Sequence, residues 1–389
     1  MGNITDYVED YGSKTFGEAP FNEIDALVLS QISYVDFSAI VCKFDSDVEV
    51  SLSEASYQFF NLHDEEELEK KISIVYKAAM LLRQCAQTER YKNIKLLKYV
   101  NNINDKIDKQ FSAITFYLNE DLAAIAYRGT DTSITGIKES AMLSYMFPVP
   151  AQIESLYYLQ ESGMLAQRNL IISGHSKGGN LATFAGVSCS NSLKKRIDGI
   201  YEFDAPGFPE QMINRYDYIE MRPKIFSYIP ESSIIGCMLY HNSSRKIVKS
   251  SNENIKQHQV SSWEIEDNHF EFTDETDELS KFIDKYLKKL SANVGEENIE
   301  EVFETIFDFI ESSGFKSYDD FKRFDVIRLI RTIHSLKSIS DVEKDLIENT
   351  IKQAFKELSH LIYKESIDSF TESLVKKFPF IDDKNNVNE

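Results

Sequence analysis

The sequence predicts an α/β protein, a sheet with helices on its faces, followed by a helical C-terminal module. Three observations predict it. Short apolar β-type runs alternate with helical segments between residues 112 and 265. One run, Leu170-Ile171-Ile172, leads through Ser173-Gly174-His175-Ser176-Lys177-Gly178-Gly179-Asn180 into a helical segment, the pattern of a sharp strand-to-helix turn. From about Asp274 the chain becomes charged and helical, with no proline between Pro230 and Pro379 to interrupt it.

Taken in order, Met1 to Pro20 is acidic and polar, without the basic start and apolar middle of a signal peptide. Asp6 stands where a myristoylation motif needs Ser or Thr. Phe21 to Phe37 carries Ile24, Leu27, Val28, Leu29 and Ile32 and reads as an early helix. Ser51 to Asn101 is helical in composition. Ser112 to Leu118 and Leu122 to Tyr127 read as strands joined by a hairpin turn at Asn119-Glu120-Asp121. Ala141 to Pro150 is apolar and suits a lid, a substrate wall or core. Pro150 starts a helix reaching about Gly163, and Lys177 to Ser190 forms another, with Leu181, Ala182, Phe184, Ala185 and Val187 at helical spacing. Gly199 to Phe203, Lys224 to Ile229, Arg245 to Val248 and Ser262 to Ile265 are further short strands. In the tail, Leu279, Phe282, Ile283, Tyr286, Leu287 and later Ile347, Ile351, Phe355 and Leu358 recur at three- and four-residue steps, and Asp382 to Glu389 reads as frayed. The expected division is 1–273 and 274–389.

Composition narrows the function. The 389 residues carry a net charge of −20, which disfavours nucleic acid and anionic membranes as partners. No apolar run approaches the roughly 20 residues that span a bilayer. Cys42, Cys85, Cys189 and Cys237 are scattered without C-x-x-C spacing. Free thiols in a reducing cytoplasm explain them, and neither a zinc site nor a cofactor is expected. No G-x-x-x-x-G-K-[ST] or G-x-G-x-x-G phosphate loop surrounds the elbow.

The chemistry gathers around Ser176. A serine hydroxyl needs a base to take its proton and donors for the oxyanion, and an elbow lifts it out of the sheet beside helix N-terminal amides. In an α/β hydrolase the base follows the serine in the chain. His241, His258 and His269 qualify, while His334 and His360 fall in the helical tail. His258, in the polar loop Lys256-Gln257-His258-Gln259 between two strand-like segments, is preferred. Two carboxylates stand at strand ends, Glu231 and Asp204. Glu231 is preferred, since Asp204 has a competing role in holding the Ala205-Pro206-Gly207 turn. Thr130, in Arg128-Gly129-Thr130 after a strand, and the amide of Lys177 are the candidate oxyanion donors.

With these residues in place, Phe111 to Trp263 resembles lipase class 3, in which R-G-[ST] after a strand and G-H-S-x-G-G recur; Arg128-Gly129-Thr130 and Gly174 to Gly179 carry the match. The span to about Phe272 resembles more closely the Mbeg-like bacterial α/β hydrolases. The pieces are Pro20-Phe21-Asn22-Glu23-Ile24-Asp25, Gly174 to Asn180, Phe203-Asp204-Ala205-Pro206-Gly207-Phe208, Ile229 to Gly236, Gln257-His258 and Ser262-Trp263-Glu264. The resemblance implies an α/β-hydrolase fold and a serine hydrolase cleaving a small or lipid-like acyl ester. Ser176 would be nucleophile, His258 base, Thr130 oxyanion donor, and the acid would match Glu231, where lipases of the class carry aspartate. Lys177 stands where those lipases have leucine; a cation there suits a negatively charged substrate or a side chain turned to solvent. The alternatives are a hydrolase-like binding or regulatory protein, and an acyltransferase or thioesterase. The helical tail is open to a homo-oligomer or protein partner.

Overall fold

The computed structural model describes residues 2–42, 48–69, 73–130, 133–292, 294, 298, 301–302, 305 and 326–352. The chain divides into two compact units, Met1–Ser280 and Lys281–Glu389.

The strands are β1 (Val50–Ser51), β2 (Lys95–Asn104), β3 (Lys109–Tyr117), β4 (Leu122–Tyr127), β5 (Asn169–His175), β6 (Ile197–Phe203), β7 (Ile225–Pro230), β8 (Arg245–Val248), β9 (Ile265–Glu266), β10 (His269–Phe270) and β11 (Phe272–Thr273). Nine of them form one sheet in the order β1-β2-β3-β4-β5-β6-β7-β8-β11. β1 to β4 pair antiparallel, β4 to β8 parallel, and β11 returns antiparallel on β8. Parallel strands are stable when both faces are covered, and here helices cover them.

Among the described residues the helices include α1 (Ile4–Tyr11), α2 (Glu23–Ile32), α3 (Leu52–Leu62), α4 (Glu65–Glu69), α5 (Ser73–Cys85), α6 (Ile134–Met142), α7 (Pro150–Ala166), α8 (Lys177–Ser188), α9 (Asn191–Arg196), α10 (Glu210–Ile213), α11 (Tyr216–Met221), α12 (Glu278–Ala292) and α13 (Val326–Ser335). The two-residue period of a strand sorts the sheet's side chains between them. Ala124, Ala126 and Ile171 join one core with Ile24, Leu27 and Val28 of α2 and Leu82 of α5. Ala123, Ile125, Leu170 and Ile172 join the other with Leu159 of α7 and Leu181 and Ala185 of α8.

The hairpin between β3 and β4 is set by Asn119, whose side chain accepts from the amides of Asp121 and Leu122, both at 2.9 Å. Two expectations need correction. The helical reading of Ser51 to Asn101 holds for α3, α4 and α5, but the segment ends in β2. Lys98 hides that strand: it sits at φ 55° in a bulge between Leu97 and Val100 that breaks the apolar alternation. Within Ser262 to Ile265, only Ile265 is in a strand, because Val260–Ser262 winds as a 3₁₀ turn.

The Asn22 to Asp25 piece is a helix start. The Asn22 side chain accepts from the amides of Ile24 and Asp25, and Asp25 returns a bond from the Asn22 amide, a reciprocal cap for α2. The same Asp25 carboxylate accepts from Arg90 Nε at 2.7 Å and Nη2 at 2.5 Å, and from Tyr91 Oη at 2.5 Å. Arg90 also donates to the carbonyls of Lys14, Ala19 and Pro20, fastening the N-terminal segment.

In the second unit, α13 and the helical residues 341–352 bury Leu329, Ile333 and Ile347. Phe355, Leu358, His360 and Asp382 to Glu389 lie outside the described residues. Among the described residues no helix is long and apolar enough to cross a membrane. None of the four cysteines is in a disulfide, and Cys85, Cys189 and Cys237 are buried.

Candidate active site

The site is built at the carboxyl ends of β5 and β6. Ser176 stands between β5 and α8 at φ 58° and ψ −133°, a backbone conformation that costs a non-glycine residue about 1–3 kcal/mol. The Ser176 amide donates to the Phe203 carbonyl at 2.9 Å, and the Ser176 carbonyl accepts from the Gly179 amide at 3.0 Å. The glycines are required by contact. A Cβ on Gly174 would lie 2.2 Å from the Gly178 carbonyl carbon, and one on Gly178 would lie 2.2 Å from the Tyr127 carbonyl oxygen. Ser176 is half-buried between two fully buried neighbours, His175 and Lys177.

Asp204, not Glu231, is the carboxylate at hydrogen-bond distance from His258. His258 Nδ1–H donates to Asp204 Oδ2 at 2.6 Å. The other carboxylate oxygen accepts from Ser233 Oγ at 2.5 Å and the Gly236 amide at 3.1 Å. Asp204 therefore bonds to the chain after β7 and to the histidine loop, rather than to the Ala205-Pro206-Gly207 turn. Its side chain is fully buried, while that of His258 is 28% exposed. This arrangement fixes the proton on Nδ1 and leaves Nε2 as the basic nitrogen. Glu231, one strand over, faces a different neighbourhood. Its backbone carbonyl accepts from the Asp277 amide and Ser280 Oγ. Burial, and then Glu264, push its carboxyl above the usual range.

Residues to which the sequence reading gave no role in the site hold the histidine loop. Gln257 Oε1 accepts from the Ser232 amide at 2.7 Å, and the Gln257 carbonyl accepts from Trp263 Nε1 at 2.8 Å. The His258 carbonyl lies 2.9 Å from His175 Nε2. A carbonyl only accepts, so His175 carries its proton on Nε2. His175 Nδ1, 3.0 Å from Tyr34 Oη, is then the acceptor. Burial pushes the His175 imidazole well below its usual pKa, which keeps it neutral. The side-chain period of β5 signals this role: Ile171, Ser173 and His175 face α2, where Ser30 Oγ lies 2.9 Å from Ser173 Oγ.

Arg128-Gly129-Thr130 is brought against the elbow. A Cβ on Gly129 would lie 2.6 Å from the His175 carbonyl and 3.3 Å from Ser176 Cβ. Thr130 Oγ1 hydrogen-bonds Ser140 Oγ on α6. Lys177 neither faces a substrate nor turns to solvent. Its Nζ is buried and donates at 2.8 Å each to Glu139 Oε2, Gln110 Oε1 and the Gln110 carbonyl. Glu139 also accepts from the amides of Gln110 and Ala151. The elbow helix is thus bolted to α6 and to the start of α7, and Met142, Leu143 and Val149 of the apolar stretch form a small core of their own.

His269 is elsewhere, exposed and bonded to Glu23 at 2.9 Å. His241 lines a separate cleft. Among the described residues, three metal-type ligands converge only at His334, Asp345 and Glu348 in the second unit, where His334 Nε2 pairs with Glu348 at 2.6 Å.

A mostly parallel sheet with helices on both faces, and a serine held at positive φ between strand and helix, define a protein of the α/β-hydrolase fold. Within that class the chain belongs to the Mbeg1-like family, which matches residues 85–308. Solved structures similar to it include M37 lipase, at 14% identity and TM-score 0.33 over 56% of this chain and 69% of that one. A fungal lipase in an inhibitor complex shares 13% identity at TM-score 0.35, over 57% and 77%. Rhizomucor miehei lipase with its propeptide shares 14% at 0.34, over 60% and 70%. No curated protein matches the chain.

Proposed function

We propose that the protein is a serine hydrolase of carboxylic esters. The observation that carries the reading is the 2.6 Å bond from His258 Nδ1 to the buried Asp204, with the His258 carbonyl tied to His175, the residue preceding Ser176. In this reading Ser176 Oγ attacks the acyl carbonyl and its proton passes to His258 Nε2. Asp204 stabilises the imidazolium that forms. Thr130 and the Lys177 amide receive the developing oxyanion. His258 returns the proton to the departing alkoxide, leaving an acyl group on Ser176, and a water activated by the same histidine releases the acid. Lys177 contributes its amide alone, because its ammonium group is committed to Glu139 and Gln110.

The test is covalent labelling with a fluorophosphonate probe, followed by hydrolysis of short- and long-chain p-nitrophenyl esters. The full chain should label once, at Ser176, and Ser176→Ala should neither label nor turn over ester. Labelling that persists in Ser176→Ala, or a native protein inert to both probe and esters, overturns the proposal.

A further inference from the structure

The geometry points to a second ligand site at the reverse end of the sheet: a cleft that takes a small phosphate ester carried on a planar ring, of mononucleotide size. It lies where β7 and β8 begin, whereas Ser176 and Asp204 follow the ends of β5 and β6. Its volume is ≈ 690 Å³, within the range of small-molecule sites.

Charge is the first argument. The chain carries 63 acidic and 43 basic residues, yet no carboxylate lines this cleft, and its charged lining groups are Arg222 and Lys246. A concave surface lined by one sign of charge concentrates ligands of the other. Neither cation is in an ion pair among the described residues. Arg222 Nη1 donates to Asn242 Oδ1 at 3.2 Å, leaving Nε and Nη2 for a ligand, and Asn242 is itself anchored through Nδ2 to the Ile213 carbonyl. A guanidinium offered in this way suits the paired oxygens of a phosphate.

The cleft is also fitted for a flat, partly apolar body. Phe226 is 37% exposed and already stacked on Tyr201 at 5.0 Å and 23°. Lys246 Nζ lies 5.1 Å from the Phe272 ring centre, so the ammonium sits over apolar surface. Ser227 completes the floor. Beside it, the buried Glu202 accepts from Thr183 Oγ1 at 2.7 Å, and burial pushes its carboxyl pKa up.

Calorimetric titration of the full chain with adenosine monophosphate, adenosine and inorganic phosphate tests the assignment. The monophosphate should bind, and adenosine and phosphate each at least about tenfold more weakly. The double variant Arg222→Gln/Lys246→Gln should weaken the monophosphate by at least about tenfold, consistent with loss of charge-assisted hydrogen bonds. Ser176→Ala should bind it as the native chain does, which keeps the result independent of the hydrolase reading. Absence of monophosphate binding overturns the site, as does binding unchanged in the double variant. Phosphate binding as tight as the monophosphate overturns the role of the ring.

Discussion

Lys177 Nζ lies 2.8 Å from Glu139 Oε2, with both side chains out of water, and this pair couples the elbow to the helix that holds Thr130 through Ser140. Removing one partner strands the other charge in the interior. Lys177→Met should cost about 3–5 kcal/mol in urea unfolding. The double variant Lys177→Met/Glu139→Gln should lose about 1–3 kcal/mol less than the sum of the singles. Simple additivity would show that the pair is not coupled.

Asp204→Asn and Glu231→Gln separate the two carboxylates. Asp204→Asn should lower kcat for ester hydrolysis by about 10³–10⁴-fold, because an amide supports the wrong histidine tautomer. Glu231→Gln should leave kcat near the native value and stability within about 0.5 kcal/mol. A reversed pattern would make Glu231 the working acid.

Tyr34→Phe removes the donor to His175 Nδ1 and nothing larger than a hydroxyl. The unsatisfied ring nitrogen should cost about 1–3 kcal/mol of stability. It also frees His175 to exchange tautomers and release the His258 carbonyl. The expected kinetic result is a fall in kcat with KM unchanged; a KM effect alone would count against positioning of the histidine loop.

His175 makes stability pH-dependent in a defined direction. Its folded-state pKa lies well below the unfolded value of about 6.5, so below that pH the unfolded chain binds the extra proton. Stability is full above the unfolded pKa and falls as pH drops below it, by up to about 1.4 kcal/mol per pH unit, until the folded-state pKa is reached. His175→Gln should remove this slope between pH 6.5 and 5 relative to the native chain, measured by denaturant midpoints.

Arg90→Met should destabilise by about 3–5 kcal/mol, since Asp25 is left charged and buried. It also frees the carbonyls of Lys14, Ala19 and Pro20. Limited proteolysis should then cut between residues 13 and 20 faster than in the native protein. An unchanged cleavage pattern would mean that other contacts hold this segment.

The elbow was legible because its constraints are local: Gly174, Ser176 and Gly178 are close in sequence and are needed at the same turn. The apolar periods of β3 to β8 were legible for the same reason. The acid was not. Glu231 and Asp204 end adjacent parallel strands, and what separates them is the return of Ser233 and Gly236 onto Asp204, a contact across about 30 residues. Lys177 was misread because lysine is rarely buried without a partner, and its partner stands 38 residues upstream. β2 was hidden by one residue, Lys98, in a bulge.

Four glycines hem in the elbow: Gly129, Gly174, Gly178 and Gly179, none of which has room for a methyl group. Any drift at those codons damages the fold itself, whatever the protein is kept for. Ser176 is different, since the residue is only half-buried and small replacements leave the turn's backbone bonds in place. Selection for a folded protein therefore preserves the glycines, while only selection for chemistry preserves the hydroxyl. A descendant of this gene selected for folding alone would keep the frame intact and be free to change the single letter at position 176.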